Sequence, residues 1–179
     1  MTQKLNFLKK EINNNQTRKA GKIPVVLYGK KDQKDLNEQG AIDSKHFHDF
    51  LHAMKYKVLS TIFEINKELF IIKEIQIHPI HEHVVHIDFF RVEKDQEFEI
   101  KARVVLKNYE KAPFTKENGF VHIPSKNIKV LCTIDSIVGE IVCDLENSHK
   151  GDVISTEDPS FNNIKFINRG PIITIVDKS

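Results

Sequence analysis

The feature that most restricts the fold is a series of short apolar runs in the second half of the chain, each too short for a helix and each closed by turn residues. Phe98, Ile100, Ala102, Val104 and Leu106 alternate with Glu99, Lys101 and Arg103. Strand side chains point to opposite faces with period two, so this is a half-buried strand with a wet outer face. Further runs fall at 121–123, 128–133, 141–143, 164–167 and 172–176, divided by Asn118-Gly119, Lys150-Gly151-Asp152 and Arg169-Gly170-Pro171. No helical stripe interrupts them, and the pattern predicts an all-β domain of about eighty residues.

The charged run Glu93-Lys94-Asp95-Gln96-Glu97 separates this domain from residues 1–92. The boundaries expected are therefore 1–92 and 93–179. Within residues 1–92 a single helix is well signalled: Ser44 can cap it, and Phe47, Phe50, Leu51 and Met54 form one apolar stripe at i, i+3, i+4 and i+7. His46, His48 and His52 fall outside the stripe and are expected to face solvent. Residues 58–65 and 68–77 read as two strands joined by a hairpin at Asn66-Lys67. Residues 25–28 read as a short buried strand ended by a glycine turn at Gly29, with Tyr28 either presenting its phenol at the surface or filling the core. The fold class expected is mainly β, of the α+β type, a sheet of several strands with a helix followed by an all-β domain.

Residues 74–92 are the densest run of unusual choices in the chain. Pro79 must stop the strand that carries Gln76 and His78, since proline removes a ladder donor and restricts the residue before it. From Val84 the pattern alternates again, putting Val84, His86, Asp88 and Phe90 on one face and Val85, Ile87, Phe89 and Arg91 on the other. An imidazole and a carboxylate are thus neighbours. Asp88 can accept from His86 and fix its tautomer, and such a pair suits a base edge, a ribose hydroxyl or a metal. His78, His81, His83 and His86 offer ligand types that zinc accepts, but their spacing matches no closed zinc pattern and no cysteine lies nearby.

Positive charge sits at the other end of this domain. Residues 1–92 hold fifteen Lys/Arg against eleven Asp/Glu, and residues 93–179 hold twelve against fourteen. Residues 1–31 alone carry Lys4, Lys9, Lys10, Arg18, Lys19, Lys22, Lys30 and Lys31 against Glu11, so a polyanion would meet this end first. Between Asn13 and Pro24 the asparagines and Gly21 read as a long polar loop. A loop with Arg18, Lys19 and Lys22 is suited to phosphates, because a guanidinium can hydrogen-bond two phosphate oxygens and lysine adds a point charge.

Composition excludes several classes. At 40% apolar the chain is globular, and no run approaches the length that spans a bilayer or resembles a signal peptide, so a soluble cytoplasmic protein with no membrane partner is expected. Cys132 and Cys143 belong to no C-x-x-C pair and read as buried, reduced thiols, with a single disulfide as the alternative. A nucleophile elbow, a phosphate-cradling glycine loop, paired catalytic carboxylates and a zinc motif are all missing, so an enzyme, a cofactor and a small-molecule substrate are not expected.

The block Arg18-Lys-Ala-Gly-Lys-Ile-Pro-Val-Val-Leu-Tyr-Gly29, followed at a distance by Gln76-Ile-His-Pro79 and His86-Ile-Asp-Phe-Phe-Arg-Val92, closely resembles the family of the twenty-fifth protein of the bacterial large ribosomal subunit. The likeness is to its longer two-domain form, known as CTC or general stress protein. Ala112-Pro113, Glu117-Asn118-Gly119 and Gly151-Asp152-Val153-Ile154 stand where that form's second domain has similar residues. The resemblance implies a small β-barrel with a few helices that packs on 5S rRNA, with neighbouring large-subunit proteins or rRNA as further partners. It implies an RNA-binding set of Lys10, Arg18, Lys19, Lys22, Tyr28, Gln76, His78, His86 and Asp88. Where the family tends to carry a glycine- and arginine-rich run before Arg18, this chain has Asn13, Asn14, Asn15 and Gln16 in a loop about three residues shorter, so fewer phosphate contacts and weaker, less salt-sensitive binding are expected. The competing readings are a metal-dependent hydrolase or nuclease built on His78, His86 and Asp88, and a stress-induced protein–protein adaptor.

Overall fold

The computed structural model describes residues 2–9, 14–31 and 34–177. The chain divides into two compact units, Met1–Gln96 with Thr133–Asp135, and Glu97–Cys132 with Ser136–Ser179.

The first unit is one seven-stranded sheet. Its strands are β1 (Thr2–Lys4), β2 (Leu8–Lys9), β3 (Lys22–Lys31), β4 (Lys34–Asp43), β5 (Ile62–Ile65), β6 (Glu68–Ile77) and β7 (Val84–Arg91), in the spatial order β1-β5-β6-β7-β3-β4-β2. Helix α1 (Asn14–Lys19) precedes β3, and α2 (Ser44–Met54) follows β4 and runs into a 3-10 stretch, Lys55–Ser60. Connectivity dictates the shape of this sheet. In a flat sheet six strand spacings would put β1 and β2 roughly 29 Å apart. Only Leu5, Asn6 and Phe7 join them, and the four steps from Lys4 to Leu8 reach at most about 14 Å. The sheet therefore curls into a barrel-like form, with the N-terminal segment strapped across its two edges. Gly40 makes room for the strap, because a Cβ there would lie 2.1 Å from the Phe7 ring.

The concave side holds Ile23, Val25, Leu27, Phe63, Ile65, Phe70, Ile72, Ile87 and Phe89, closed by Phe47 of α2. Phe63 packs edge-on against Phe89 and Phe50 at centroid distances of 5.5 and 5.3 Å, a geometry that aromatic quadrupoles favour. The Asn66-Lys67 hairpin is present, with φ of 52° and 67°. Both left-handed residues are what a two-residue turn of matching twist needs.

Four local expectations are corrected. Residues 14–19 form α1 rather than loop, and Gly21, with φ of 71°, ends that turn. Asp43 caps α2 in place of Ser44, its Oδ1 accepting from His46 N at 2.8 Å. Val58 is buried in the 3-10 stretch, and the strand begins only at Ile62. Gly29 does not end its strand: β3 continues through it, paired with Leu36, and a Cβ there would meet Arg91 Cβ at 3.0 Å.

The second unit comprises β8 (Phe98–Lys107), β9 (Gly119–His122), β10 (Asn127–Cys132), β11 (Glu140–Asp144), β12 (Val153–Ser155), β13 (Lys165–Phe166) and β14 (Pro171–Asp177). They form a four-stranded sheet, β11-β8-β10-β13, and a three-stranded one, β12-β14-β9. Phe98, Ile100, Ala102 and Val104 are buried as their alternation predicts, with Val130, Ile141, Leu145, Ile173 and Ile175. Cys132 and Cys143 are free and buried, and burial, helped by the Asp158 charge, pushes the Cys143 thiol up to about 11. The fold is thus mainly β. Among the described residues no helix is long and apolar enough to cross a membrane.

Candidate nucleic-acid interface

The convex face of β3, β7 and β6 gathers the residues singled out above. β7 pairs antiparallel with β6 and parallel with β3, placing Gln76 opposite His86, Glu74 opposite Asp88, Val26 opposite Asp88 and Tyr28 opposite Phe90. Registered partners share a face, so Gln76, His86, Asp88 and Tyr28 stand on one surface. His86 Nε2 lies 2.9 Å from Asp88 Oδ1. An ionised carboxylate only accepts, so Nε2 carries the proton, and Nδ1 is left as the ring's other polar atom. Gln76 donates to Glu74 Oε1 at 3.4 Å, which turns its amide along the strand. Tyr28 packs edge-on against Phe90 at 5.5 Å. Burial, then the Asp88 and Glu74 carboxylates, raise its phenol above the ordinary value, so it remains an O–H donor at neutral pH.

Two bulges set the details, and neither is visible in the period-two pattern. The register with β6 skips Lys73 and Val85, and an extra residue re-aims the side chains around it. Val84 consequently turns into the core instead of sharing the His86 face, a correction to the simple alternation. Lys73 is left on the convex side, its Nζ 5.3 Å from the Phe90 ring centroid. Val85 lies outside the registers with both β6 and β3, and its carbonyl accepts from Arg18 Nε at 3.1 Å. Arg18 Nη1 also reaches Asn15 Oδ1 at 3.4 Å. The guanidinium is thereby latched beside the start of β7 by two neutral acceptors, with further N–H donors to spare. Lys19 ends α1 and Lys22 opens β3, on either side of the Gly21 turn. Lys10 lies outside the described residues.

His78 belongs to the hairpin tip beyond Gln76. Its Nδ1 accepts from the backbone N–H groups of Ile80 and His81 at 3.3 and 3.2 Å. Its ring stacks on those of His81 and His83 at 4.9 and 5.1 Å. Imidazole lone pairs lie in the ring plane, so stacked rings do not aim their nitrogens at one metal ion. Among the described residues no group of three His, Cys, Asp or Glu is placed to hold one. Lys73 and the Val85 carbonyl were not foreseen, because only the bulges bring them to this face.

Sequence comparisons point the same way. The model of the ribosomal L25p family matches residues 4–89. The large ribosomal subunit protein bL25 of Caulobacter vibrioides is 32% identical over 140 residues, 77% of this chain and 70% of that protein. The bL25 proteins of Paramagnetospirillum magneticum and Rhizobium meliloti are 29% and 28% identical, covering 79% and 78% of this chain and 70% and 68% of their own lengths. A mainly-β chain with these likenesses is a structural ribosomal protein rather than an enzyme. It belongs to the ribosomal L25p family.

Proposed function

We propose that this protein is a cytoplasmic component of the large ribosomal subunit that binds 5S rRNA through the convex face of β3, β7 and β6 together with α1. The observation that carries the reading is the latch of Arg18 onto the Val85 carbonyl. It sets a cation whose partners among the described residues are neutral beside the His86–Asp88 pair, across 67 residues of chain. A-form RNA hides its bases in a deep groove and displays ribose hydroxyls and base edges in a shallow one, between two lines of phosphate. The face offers what that surface needs. Asp88 and the Gln76 oxygen accept from hydroxyl or amino groups, Tyr28 and the Gln76 amide donate, and Arg18, Lys19 and Lys22 meet phosphates.

The test is a titration of the full chain against 5S rRNA at low and at physiological salt, with an unrelated RNA hairpin as control. Tight binding confined to 5S rRNA and weakening with salt supports the assignment. Equal affinity for both RNAs, or none for either, defeats it. The second unit is assigned to contacts with neighbouring large-subunit proteins or rRNA.

A further inference from the structure

The second unit carries eleven Lys/Arg against eleven Asp/Glu, yet the charged residues lining one of its clefts are cations alone. It has a volume of about 600 Å³, in the range of ligand sites, and its walls carry Lys101, Lys129 and Arg169 with the neutral polar side chains of Ser125, Thr156 and Asn168. No carboxylate lines it. Glu99 and Glu157, which pair with Lys129 at 2.9 Å and Arg169 at 3.5 Å, stand outside.

The register sharpens this. Lys101 on β8 and Lys129 on β10 are direct cross-strand partners, and like charges placed opposite each other in an antiparallel pair destabilise it. Lys129 has Glu99 as a counter-ion, but Lys101 has no carboxylate partner among the described residues. A fold that keeps two ammonium groups abreast over a cleft free of acids retains a cost that a bound anion would remove. The cleft rim is built rather than loose: Thr156 N donates to the Gly170 carbonyl at 3.0 Å, and Gly170 N donates to Thr156 Oγ1 at 3.1 Å.

We infer that this cleft is a phosphate site, in which Lys101 and Lys129 hold a phosphodiester of an RNA backbone and Arg169 closes on its oxygens. Lysines and arginine with hydroxyl and amide donors are the groups that contact RNA phosphates. The choice of RNA over an acidic peptide rests on the ribosomal reading above. The phosphate chemistry does not.

The first experiment uses inorganic phosphate as the probe, followed by amide NMR of the full chain. Shifts that saturate at millimolar phosphate, map to residues 101, 129 and 168–171, and vanish in the Lys101→Gln/Lys129→Gln double variant are expected. The single variant Lys101→Gln removes the like-charge pair, so it is expected to melt no lower than the parent while losing phosphate binding at least tenfold. Absence of shifts at these residues overturns the site, as does a Lys101→Gln variant that melts well below the parent. Saturable shifts with a poly-glutamate peptide and none with a short RNA duplex overturn the RNA assignment. Because inorganic phosphate is read without 5S rRNA, this result is independent of whether the first unit binds that RNA.

Discussion

The Arg18 latch of the first unit and the ion pairs of the second treat their charges in opposite ways. On the convex face of the first, Arg18 directs its bonds to a backbone carbonyl and an asparagine oxygen, both neutral, so its charge stays available to an outside anion. In the second, several cations are matched within the unit: Lys129 with Glu99, Lys150 with Asp177, Lys165 with Glu97, Arg169 with Glu157. Lys101, beside its cleft, has no such partner among the described residues. Exposed ion pairs contribute little to stability, so their main consequence here is to cancel field. A cation positioned by neutral groups keeps its field, and the places where that happens are the places where a polyanion can bind.

The largest effect that would sharpen this contrast is a loss of the scaffold. Phe89 is fully buried behind the Asp88 face and packs on Phe63, so Phe89→Ala is expected to cost about 3–5 kcal/mol. RNA binding should fall in proportion to the unfolded fraction. Denaturant melts monitored alongside binding check this, and full affinity in a strongly destabilised variant would mean that the face does not depend on its core. Gly40→Ala comes next, at about 1–3 kcal/mol, because its methyl displaces the Phe7 ring and loosens the strap over the barrel edges. An unchanged melting temperature would show that the strap does not contribute to closure.

Arg18→Ala should leave the fold intact and lower 5S rRNA affinity by about tenfold or more, with the slope of log affinity against log salt reduced by about one. His86→Ala should act in the same direction, with a smaller change of salt slope, since it removes a hydrogen-bonding group and not a phosphate contact. Circular dichroism separates binding loss from unfolding. Unchanged affinity in both folded variants would break the comparison outright. Asn15→Ala tests the latch itself. Asn15 stands in the run where fewer phosphate contacts were expected, yet its side chain accepts from Arg18, so a modest loss of affinity is expected without any loss of charge.

How much of this could be read from the residues depends on what decides each element. The alternation in β8, the α2 stripe and the Asn66-Lys67 turn are local patterns in which burial and backbone preference agree, and all three stand as read. The His86–Asp88 pair was legible for the same reason, two residues apart on one strand. Helix α1 was not, since its Asn-Asn-Gln-Thr-Arg-Lys sequence has no apolar stripe. Nor was β4, whose outer half, from Lys34 to Gln39, is polar and largely exposed. The bulges at Lys73 and Val85 are products of packing between strands, and no local period encodes them. They nevertheless decide which carbonyl Arg18 finds, so the residues of the site were readable while its assembly was not.

The smallest effect concerns acid, and it belongs to the second unit's hydrogen-bonded carboxylates. Asp144 accepts from Asn108 Nδ2 at 2.9 and 3.1 Å and from Glu146 N at 3.0 Å, and these bonds hold its carboxyl below the ordinary range. The Ser160 hydroxyl and N–H do the same for Asp158, and Lys150 N with the His149 ring for Glu117. A carboxyl whose folded value is depressed contributes stability that is fully present above its unfolded value, about 4, and is lost as the pH falls through the folded one. The second unit should therefore soften below about pH 4. Asp158→Asn should melt slightly lower than the parent at neutral pH, and the gap should close as the pH falls, because protonation removes the same charge from the parent. A gap that persisted undiminished to pH 2 would mean that the carboxylate's charge is not what Ser160 recognises.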